Sequence, residues 1–320
     1  MKKVLIIGVS GQDGSLLAKF LLNLGSMEIF GTSRDLHNCE VALNKLGINK
    51  SIILFQLDPI NFIEVESLIN KIRPTFIFNL SGQTSVGKSF SLPLETYQSN
   101  ILTTINILES INKIDKSIRF LNSASTECFG QTDFPANEMT LFNPISPYAV
   151  AKTATINITK NYRDVFGIFA CSAILSNHES TFRPENFISK KIVESVLKIS
   201  KGDQSTLEIG NIDIIRDWGW AEEYVEALYL ILNHDKPEDF IIATGKSISL
   251  EEFISYSFSK LGLNYMKYIR IEESLIRKNE HNKSLLDPSK AEGLLNWKAK
   301  FDAYSVIDKL FVQSEILNEN

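Results

Sequence analysis

Cysteine and histidine are scarce in this chain, and each scarcity removes a class of function. Cys39, Cys128 and Cys171 are the only cysteines, odd in number and far apart. That pattern supports neither a disulfide framework nor a zinc site. Of the four histidines, His178 invites a metal reading because Glu179 follows it. No other histidine stands at ligand spacing, so no metal is expected. Long apolar runs are missing too. The opening run Val4–Ile7 stops at Gly8 with no cleavage-type site beyond it, so neither a signal peptide nor a membrane span is read. Like charges never cluster and the net charge is -5, which argues against a nucleic-acid surface. Repeats, low-complexity tracts and flexible linkers are absent as well. The expectation is a cytoplasmic protein with no nucleic-acid or membrane partner.

What is present is a chain of 320 residues, 44% hydrophobic and 22% charged. Such a chain forms one large domain or two joined lobes, with a core that needs no covalent staples. Its first half alternates short apolar runs with helical spacing. Val4–Ile7, Ile29–Thr32, Ile52–Gln56, Phe76–Leu80, Phe120–Asn122 and Phe169–Leu175 read as strands. Asp13–Leu24, Phe62–Lys71 and Glu95–Ile111 read as helices, and another starts near Pro147 with Ser146 as its cap. Nearly continuous apolar strands between amphipathic helices predict an α/β fold, a Rossmann-type doubly wound parallel sheet covered on both faces. Residues 1–175 form this dinucleotide-binding domain, with part of 212–245 returning to it. Residues 176–320 form mainly a smaller, interleaved substrate lobe.

Chemistry first shows at Gly8-Val9-Ser10-Gly11-Gln12-Asp13-Gly14, between the first strand and the first helix. Gly8 permits a tight turn, Gly11 lets backbone approach a pyrophosphate, and Gly14 lets helix and strand pack closely. The helix N-terminus adds partial positive charge for an anion. After the second strand comes Gly31-Thr32-Ser33-Arg34-Asp35. Ser33 and Arg34 suit the 2′-phosphate of NADP, while Asp35, one register away, suits the ribose hydroxyls of NAD. NADP is favoured and NAD remains possible.

Tyr148 and Lys152 stand four apart at the start of a helix and share one face. A tyrosine with an ordinary pKa of about 10 serves as a base only when positive charge stabilises its phenolate. A lysine ammonium and an oxidised nicotinamide supply such charge. Ser123-Ala124-Ser125-Thr126, at the end of a preceding strand, offers hydroxyls to orient a substrate alcohol.

These strings resemble the extended short-chain dehydrogenase/reductase family, and within it the GDP-mannose 4,6-dehydratases. The similarity runs through Gly11–Ser15, Ser146–Lys152, Asn177-His178-Glu179-Ser180, Gly210-Asn211, Arg216-Asp217-Trp218-Gly219, Asp287–Ala291 and Asn296-Trp297-Lys298. It covers nearly the whole chain. It implies catalytic roles for Ser125, Glu127, Tyr148 and Lys152, with Glu127 as the carboxylate that removes the C5 proton of the sugar. It also implies that Asp58, Leu80 and His178 join Gly8, Gly11, Gln12, Asp13, Gly14, Ser33, Arg34, Tyr148 and Lys152 around the cofactor. A GDP-sugar would fall to Ser85, Asn177, Lys191, Arg216, Arg277 and Glu280. Arginine meets a diphosphate bidentately and glutamate accepts from the guanine amino edge.

The chain departs from the family at Ser85, where a histidine is usual, at Phe129, where a tyrosine is usual, and at Thr181–Glu185. Its segment after Arg34 is shorter. These changes bear on the sugar and on the oligomer, a homodimer or homotetramer by resemblance. The resemblance implies a 4,6-dehydratase acting on GDP-mannose or a related GDP-hexose or heptose. A reductase of GDP-4-keto-6-deoxy sugars, a nucleotide-sugar epimerase and a cofactor-sensing binding protein are the alternatives. Catalytic against stoichiometric use of NADPH separates the first two.

Overall fold

Residues 1–185, 187–277 and 279–318 are described, with side chains through Val312, in a computed structural model. The strands are β1 (Lys2–Ile7), β2 (Met27–Ser33), β3 (Ile52–Gln56), β4 (Phe76–Asn79), β5 (Arg119–Ser125), β6 (Ala170–Leu175), β7 (Asn177–Glu179), β8 (Leu207–Ile209), β9 (Ile215–Trp220), β10 (Phe240–Ile242), β11 (Ser247–Ser249) and β12 (Ile269–Ile271). Between them run α1 (Gln12–Leu24), α2 (Leu36–Lys45), α3 (Phe62–Ile72), α4 (Val86–Ser91), α5 (Pro93–Tyr97), α6 (Thr103–Ile114), α7 (Pro147–Phe166), α8 (Ile188–Lys201), α9 (Ala221–Asn233), α10 (Leu250–Ser259), α11 (Ser289–Leu295) and α12 (Ala303–Asn318).

Seven strands make one parallel sheet in the order β3-β2-β1-β4-β5-β6-β10. The order reverses between β1 and β4, so the crevice past their carboxyl ends is where such a fold receives a ligand. Alternation along the strands sorts the core into two faces. Val4, Ile6, Phe76 and Phe78 face α1 and α9 with Leu17, Leu21 and Tyr224. Leu5, Ile7, Ile77 and Phe120 face α3 and α6 with Ile69, Ile107 and Ile111. Each fully buried Ile or Phe contributes roughly 1.5–3 kcal/mol relative to exposure.

The chain crosses to a second lobe after β6 and then comes back. Helix α9 lies on α1, and β10 pairs with β6 through Phe240–Ala173, Ile241–Ile174 and Ile242–Leu175. An ion pair fastens this return: Arg163 of α7 grips Asp239 with Nη1 at 2.9 Å and Nη2 at 2.7 Å. Asp239 also accepts from the Ser172 backbone N–H at 2.7 Å. The paired, fork-like geometry makes this a strong contact. Its late strand completes the sheet edge that β6 would otherwise leave open.

The second lobe has its own apolar core, formed by Ile192, Val196, Trp218, Phe253, Phe258, Val306 and Leu310. Two small sheets, β11-β9-β7 and β12-β8, connect its helices. Parallel pairing of β7 with β9 sets Asn177 beside Trp218 and His178 beside Gly219. Between α5 and α6, Gln98–Leu102 runs as a π-helical turn. Its side chains hold the neighbouring loop: Ser99 Oγ accepts from the Gln83 N–H at 3.2 Å, and Asn100 Nδ2 donates to the Gln83 carbonyl at 3.2 Å.

Candidate active site

The turn from β1 into α1 opens a cleft of about 690 Å³. Gly8 adopts φ +88°, a conformation open to glycine. A Cβ on Gly14 would sit 2.3 Å from the Gly8 carbonyl oxygen, so the helix packs on its own turn only because that atom is missing. Gly11 is different: a Cβ there would meet nothing nearer than 3.5 Å, and the residue lines the cleft. No side chain caps α1. Its first-turn N–H groups and the helix dipole are left facing the cleft as an anion site. Gly8, Gln12, Asp13, Ser33, Arg34, Asp58, Leu80 and Ser85 line the same space. The donor set and the volume fit a nicotinamide dinucleotide.

At the far wall Asp35 is already engaged. Its carboxylate caps α2, accepting from the Asn38 N–H at 3.0 Å and from Asn38 Nδ2 at 2.6 Å. Among the described residues, the exposed Arg34 guanidinium makes no protein hydrogen bond or ion pair. Ser33 Oγ donates to the Asp35 carbonyl at 2.9 Å. The turn therefore presents a free cation and a hydroxyl to the cleft.

Beneath the loop lies a buried pair. Nε2 of His178 stands 3.0 Å from both Asp13 oxygens, and its Nδ1 lies 2.7 Å from the Ser176 carbonyl. Burial works against both charges. The pair nevertheless draws the Asp13 carboxyl down to about 2 and raises His178 above its ordinary value. His178 also stacks on Tyr224, ring centroids 4.8 Å apart. Gln12 binds the same strand, Nε2 donating to the His178 carbonyl at 3.1 Å while Oε1 accepts from Ser180 Oγ at 2.8 Å. His178 thus grips the loop from behind, and Asp13 faces the cleft.

Strand β5 and helix α7 bring Ser125, Tyr148 and Lys152 together. Asn122 of β5 donates to Thr155 Oγ1 at 3.0 Å, and Ser146 caps α7 through the Ala149 N–H at 3.1 Å. These contacts lock the first turns of α7, which carry Tyr148 and Lys152, against the strand end. Ser125 Oγ accepts from the Glu127 N–H at 3.3 Å. Burial pushes the Tyr148 phenol up to about 12, with the Ser125 hydroxyl opposing and the Glu127 charge adding to it. Lys152 is pushed down to about 8 by burial. Its ammonium donates to the Ser123 carbonyl at 2.8 Å and stands 5.8 Å from the Tyr148 ring centroid. The cation whose charge opposes the rise at Tyr148 is instead Arg183.

Glu127 follows on the short helical turn Thr126–Phe129, its side chain half-buried. Burial raises its pKa, and the charges of Arg216 and Arg277 pull it back. Arg216 is 6% exposed and donates to the carbonyls of Ile215 (2.9 Å), His281 (2.8 Å) and Asn282 (3.5 Å). Arg277 pairs with Glu280 at 3.2 Å and is half-exposed. Two cations, Arg216 and Arg277, and two acids, Glu127 and Glu280, thus act on one another at the mouth of the second lobe. Asn177 sits at the start of β7, half-buried. Lys191 is turned to the Glu208 carbonyl at 2.7 Å, away from this cluster's hydrogen bonds. Ser85 caps α4 through the Lys88 N–H at 3.3 Å.

Sequence reasoning passed over three participants. Arg183 lines the cleft, pairs with Glu179 at 3.2 Å and covers the Phe187 ring at 3.7 Å. Gln83 also lines the cleft and is held by the π-helical turn. His281 faces Glu127 at 3.7 Å. The departure from the family at Thr181–Glu185 was the available signal for Arg183. Nothing local in the sequence marks the other two. Among the described residues, no cluster of His, Cys, Asp and Glu has the geometry of a metal site, and no helix is long and apolar enough to cross a membrane.

A parallel sheet in this order, a glycine turn under a dinucleotide-sized cleft and a Ser-Tyr-Lys set at its edge define an extended short-chain dehydrogenase/reductase. Solved structures agree on the fold. A UDP-glucose 4-epimerase of Thermotoga maritima, solved with UDP-glucose, superposes with a TM-score of 0.85 at 21% identity, covering 99% of this chain and 100% of that one. A dTDP-glucose 4,6-dehydratase of Bacillus anthracis, in complex with NAD, does so with a TM-score of 0.86 at 17% identity, covering 100% and 98%. Within that class, residues 5–310 match the family model described as GDP-mannose 4,6 dehydratase. GDP-mannose 4,6 dehydratase 2 of Arabidopsis thaliana is 36% identical over 98% of this chain and 87% of its own length. GDP-mannose 4,6-dehydratase of Yersinia enterocolitica is 36% identical over 93% and 89%. The chain belongs to the GDP-mannose 4,6-dehydratase family.

Proposed function

We propose that this chain is an NADP-dependent hydro-lyase that converts GDP-mannose, or a closely related GDP-hexose or heptose, to the GDP-4-keto-6-deoxy sugar. One observation carries the choice of reaction: a half-buried carboxyl with a raised pKa, Glu127, stands two residues from Ser125, whose hydroxyl and Glu127's own charge both act on the phenol of Tyr148. Reduction of a 4-ketone and hydride-mediated epimerisation at C4 need no carbon base. Elimination of water across C5 and C6 does.

Gly8, Gly11, Gln12, Ser33 and Arg34 line the cleft that would hold the nicotinamide dinucleotide, which would supply the reversible hydride chemistry at C4 and C6. Tyr148 removes the C4 hydroxyl proton, with Ser125 holding the phenol oxygen. The positive charge of Arg183 favours the phenolate that this step requires. The new ketone acidifies C5–H, and Glu127 removes that proton. The same proton passes to the C6 hydroxyl, which leaves as water. Tyr148 then returns its proton to C5. A carboxyl raised by burial suits both directions of transfer, since its pKa moves toward neutrality. Arg216 and Arg277 are assigned to the diphosphate, Glu280 and Asn177 to the nucleotide side, and Ser85 and Lys191 to the remaining substrate contacts.

The preference for NADP rests on Arg34, an unpaired cation lining the cleft, and on Asp35 being consumed by its helix cap. We also assign a cytoplasmic enzyme that assembles as a homodimer or homotetramer. Three buried free thiols suit a reducing compartment.

The test is incubation with GDP-mannose and a trace of NADP, read by mass spectrometry. A product lighter by one water, with no net change in cofactor, is expected. Stoichiometric consumption of NADPH with a 4-keto sugar would point to a reductase. Reaction of CDP- or UDP-sugars alone would remove the GDP assignment.

A further inference from the structure

Glu127 is a desolvated carboxyl that must be ionised before it can take the C5 proton. Burial is the largest influence on it and disfavours the ionised form. Among the described residues, no side chain hydrogen-bonds the carboxyl group. Arg216 and Arg277 act on it through charge alone, and both are assigned to the diphosphate. The Glu127 side chain is 16% exposed, and a carboxylate so far withdrawn from water gains from a donor of its own. The nearest candidate is the imidazole of His281, with Nε2 3.7 Å from Glu127 Oε1.

His281 is fixed for this position by its backbone. Its carbonyl accepts from Arg216 Nη2 at 2.8 Å, and the next carbonyl, of Asn282, accepts from the Ile215 N–H at 2.7 Å. From the opposite side, Gln131 Oε1 accepts from the N–H groups of Asn282 and Lys283 at 3.0 and 3.2 Å. The segment is therefore pinned both to β9 and to the loop leaving Glu127. Its side chain is 3% exposed, and neither ring nitrogen has a hydrogen bond among the described residues. A buried imidazole with both nitrogens idle beside a carboxyl is poised to donate to it.

We propose that His281 is a positioning residue for dehydration, its Nε2–H closing onto the Glu127 carboxylate to hold it ionised and aimed at C5. The inference rests on the dehydratase reading. Electrostatics agree with a donor and exclude a competing base: burial, then Arg216 and Arg277, hold the ring neutral, with its pKa lowered to about 3. A neutral imidazole donates one hydrogen bond and leaves the proton taken from C5 on Glu127, where the departing hydroxyl needs it. The other charged or titratable groups that act on Glu127, or that it acts on, are Arg216 from β9, Arg277 and Glu280 from the 277–280 segment, Tyr148 from α7 and the neighbouring Cys128.

The experiment compares kcat–pH profiles of the wild type, His281→Leu and His281→Gln with GDP-mannose and NADP. In the leucine variant kcat should fall roughly tenfold to a hundredfold, the worth of one hydrogen bond to a charged group, with KM within about threefold. Losing a donor destabilises the carboxylate, so the acidic limb should move to higher pH by about one unit. Glutamine, which can donate from the Nε2 position, should restore most of kcat and the limb. If the leucine variant does not fold, His281→Met carries the same comparison. An apolar variant with unmoved limb and kcat, in an enzyme that does dehydrate, overturns this role alone. A wild type that releases no water from any GDP-hexose overturns the reaction, and this role with it.

Discussion

Asp13 and His178 are 165 positions apart in the chain and meet with both carboxylate oxygens 3.0 Å from Nε2. The contact joins the glycine turn of the sheet domain to the first strand of the second lobe. It ties the cleft's floor to the element that begins the second lobe.

Its pH dependence has two edges. Asp13 is depressed to about 2, so its contribution is present above the unfolded carboxyl pKa, about 4, and is lost as pH falls through the folded value. His178 is raised, so its contribution is complete below its unfolded value of about 6.5 and is lost as pH rises through the folded one. Asp13→Asn should therefore destabilise most between about pH 4 and 6.5, by about 1–3 kcal/mol. Thermal melts across that range measure it; a difference constant with pH would show that the pair is not ionic.

Arg34→Ala should weaken NADP binding about tenfold to a hundredfold and leave NAD nearly unaffected, because only the 2′-phosphate calls on a bidentate cation. Titration of both cofactors gives the ratio. Asp35→Ala should loosen α2 and leave the preference where it was, since its carboxylate is spent on Asn38. A switch of preference in the Asp35 variant would place the ribose on that residue instead.

Glu127→Gln keeps the shape and removes the base. Dehydration should fall at least about a hundredfold. C4 oxidation should survive, so reduced nicotinamide accumulates in a single turnover and can be followed by absorbance. The wild-type rate should lose activity on its acidic side above the ordinary carboxyl range, in keeping with the raised Glu127. Full turnover in the glutamine variant would take Glu127 out of the reaction.

Tyr148→Phe should stop both hydride steps, with a loss of about 10²–10⁴ in kcat and cofactor affinity changed only a few-fold. Its partner Ser125 should be milder: Ser125→Ala releases the phenol and uncaps the turn that carries Glu127. Rapid-mixing measurement of C4 oxidation distinguishes the two.

The two glycines of the loop should separate by cause. Gly14→Ala drives a Cβ to 2.3 Å from the Gly8 carbonyl and should destabilise the fold by about 1–3 kcal/mol. Gly11→Ala has room in the protein and should fold normally, with cofactor affinity reduced. Melting temperature and cofactor titration, read together, check the contrast.

The parallel sheet was legible because each of its strands is a short apolar run and alternation alone decides which face each residue takes. The strand read as Phe120–Asn122 extends in fact over Arg119–Ser125, because Ser123-Ala124-Ser125, with little apolar signal, continues the register opposite Ala173–Leu175. Helix α2 escaped notice: it buries only Cys39 and Leu43, too little to print a period. The stretch Glu95–Ile111, read as one helix, is two helices with a π-helical turn between them. Within that turn Ser99 accepts from the Gln83 N–H, a contact that helical periodicity does not announce.

By itself the sequence determined the parts whose signal is local. These are the glycine turn between a strand and a helix, the Tyr148–Lys152 spacing, the sheet's alternation and the motifs that mark the family. Tertiary structure alone decided which charges meet. It turned Lys152 to the Ser123 carbonyl, and it brought Asp13 to His178, Arg216 and Arg277 toward Glu127, and His281 to within 3.7 Å of that carboxyl. The reason is physical. Periodicity and turn chemistry act over a few residues, whereas desolvation and Coulomb coupling depend on distances that only folding sets.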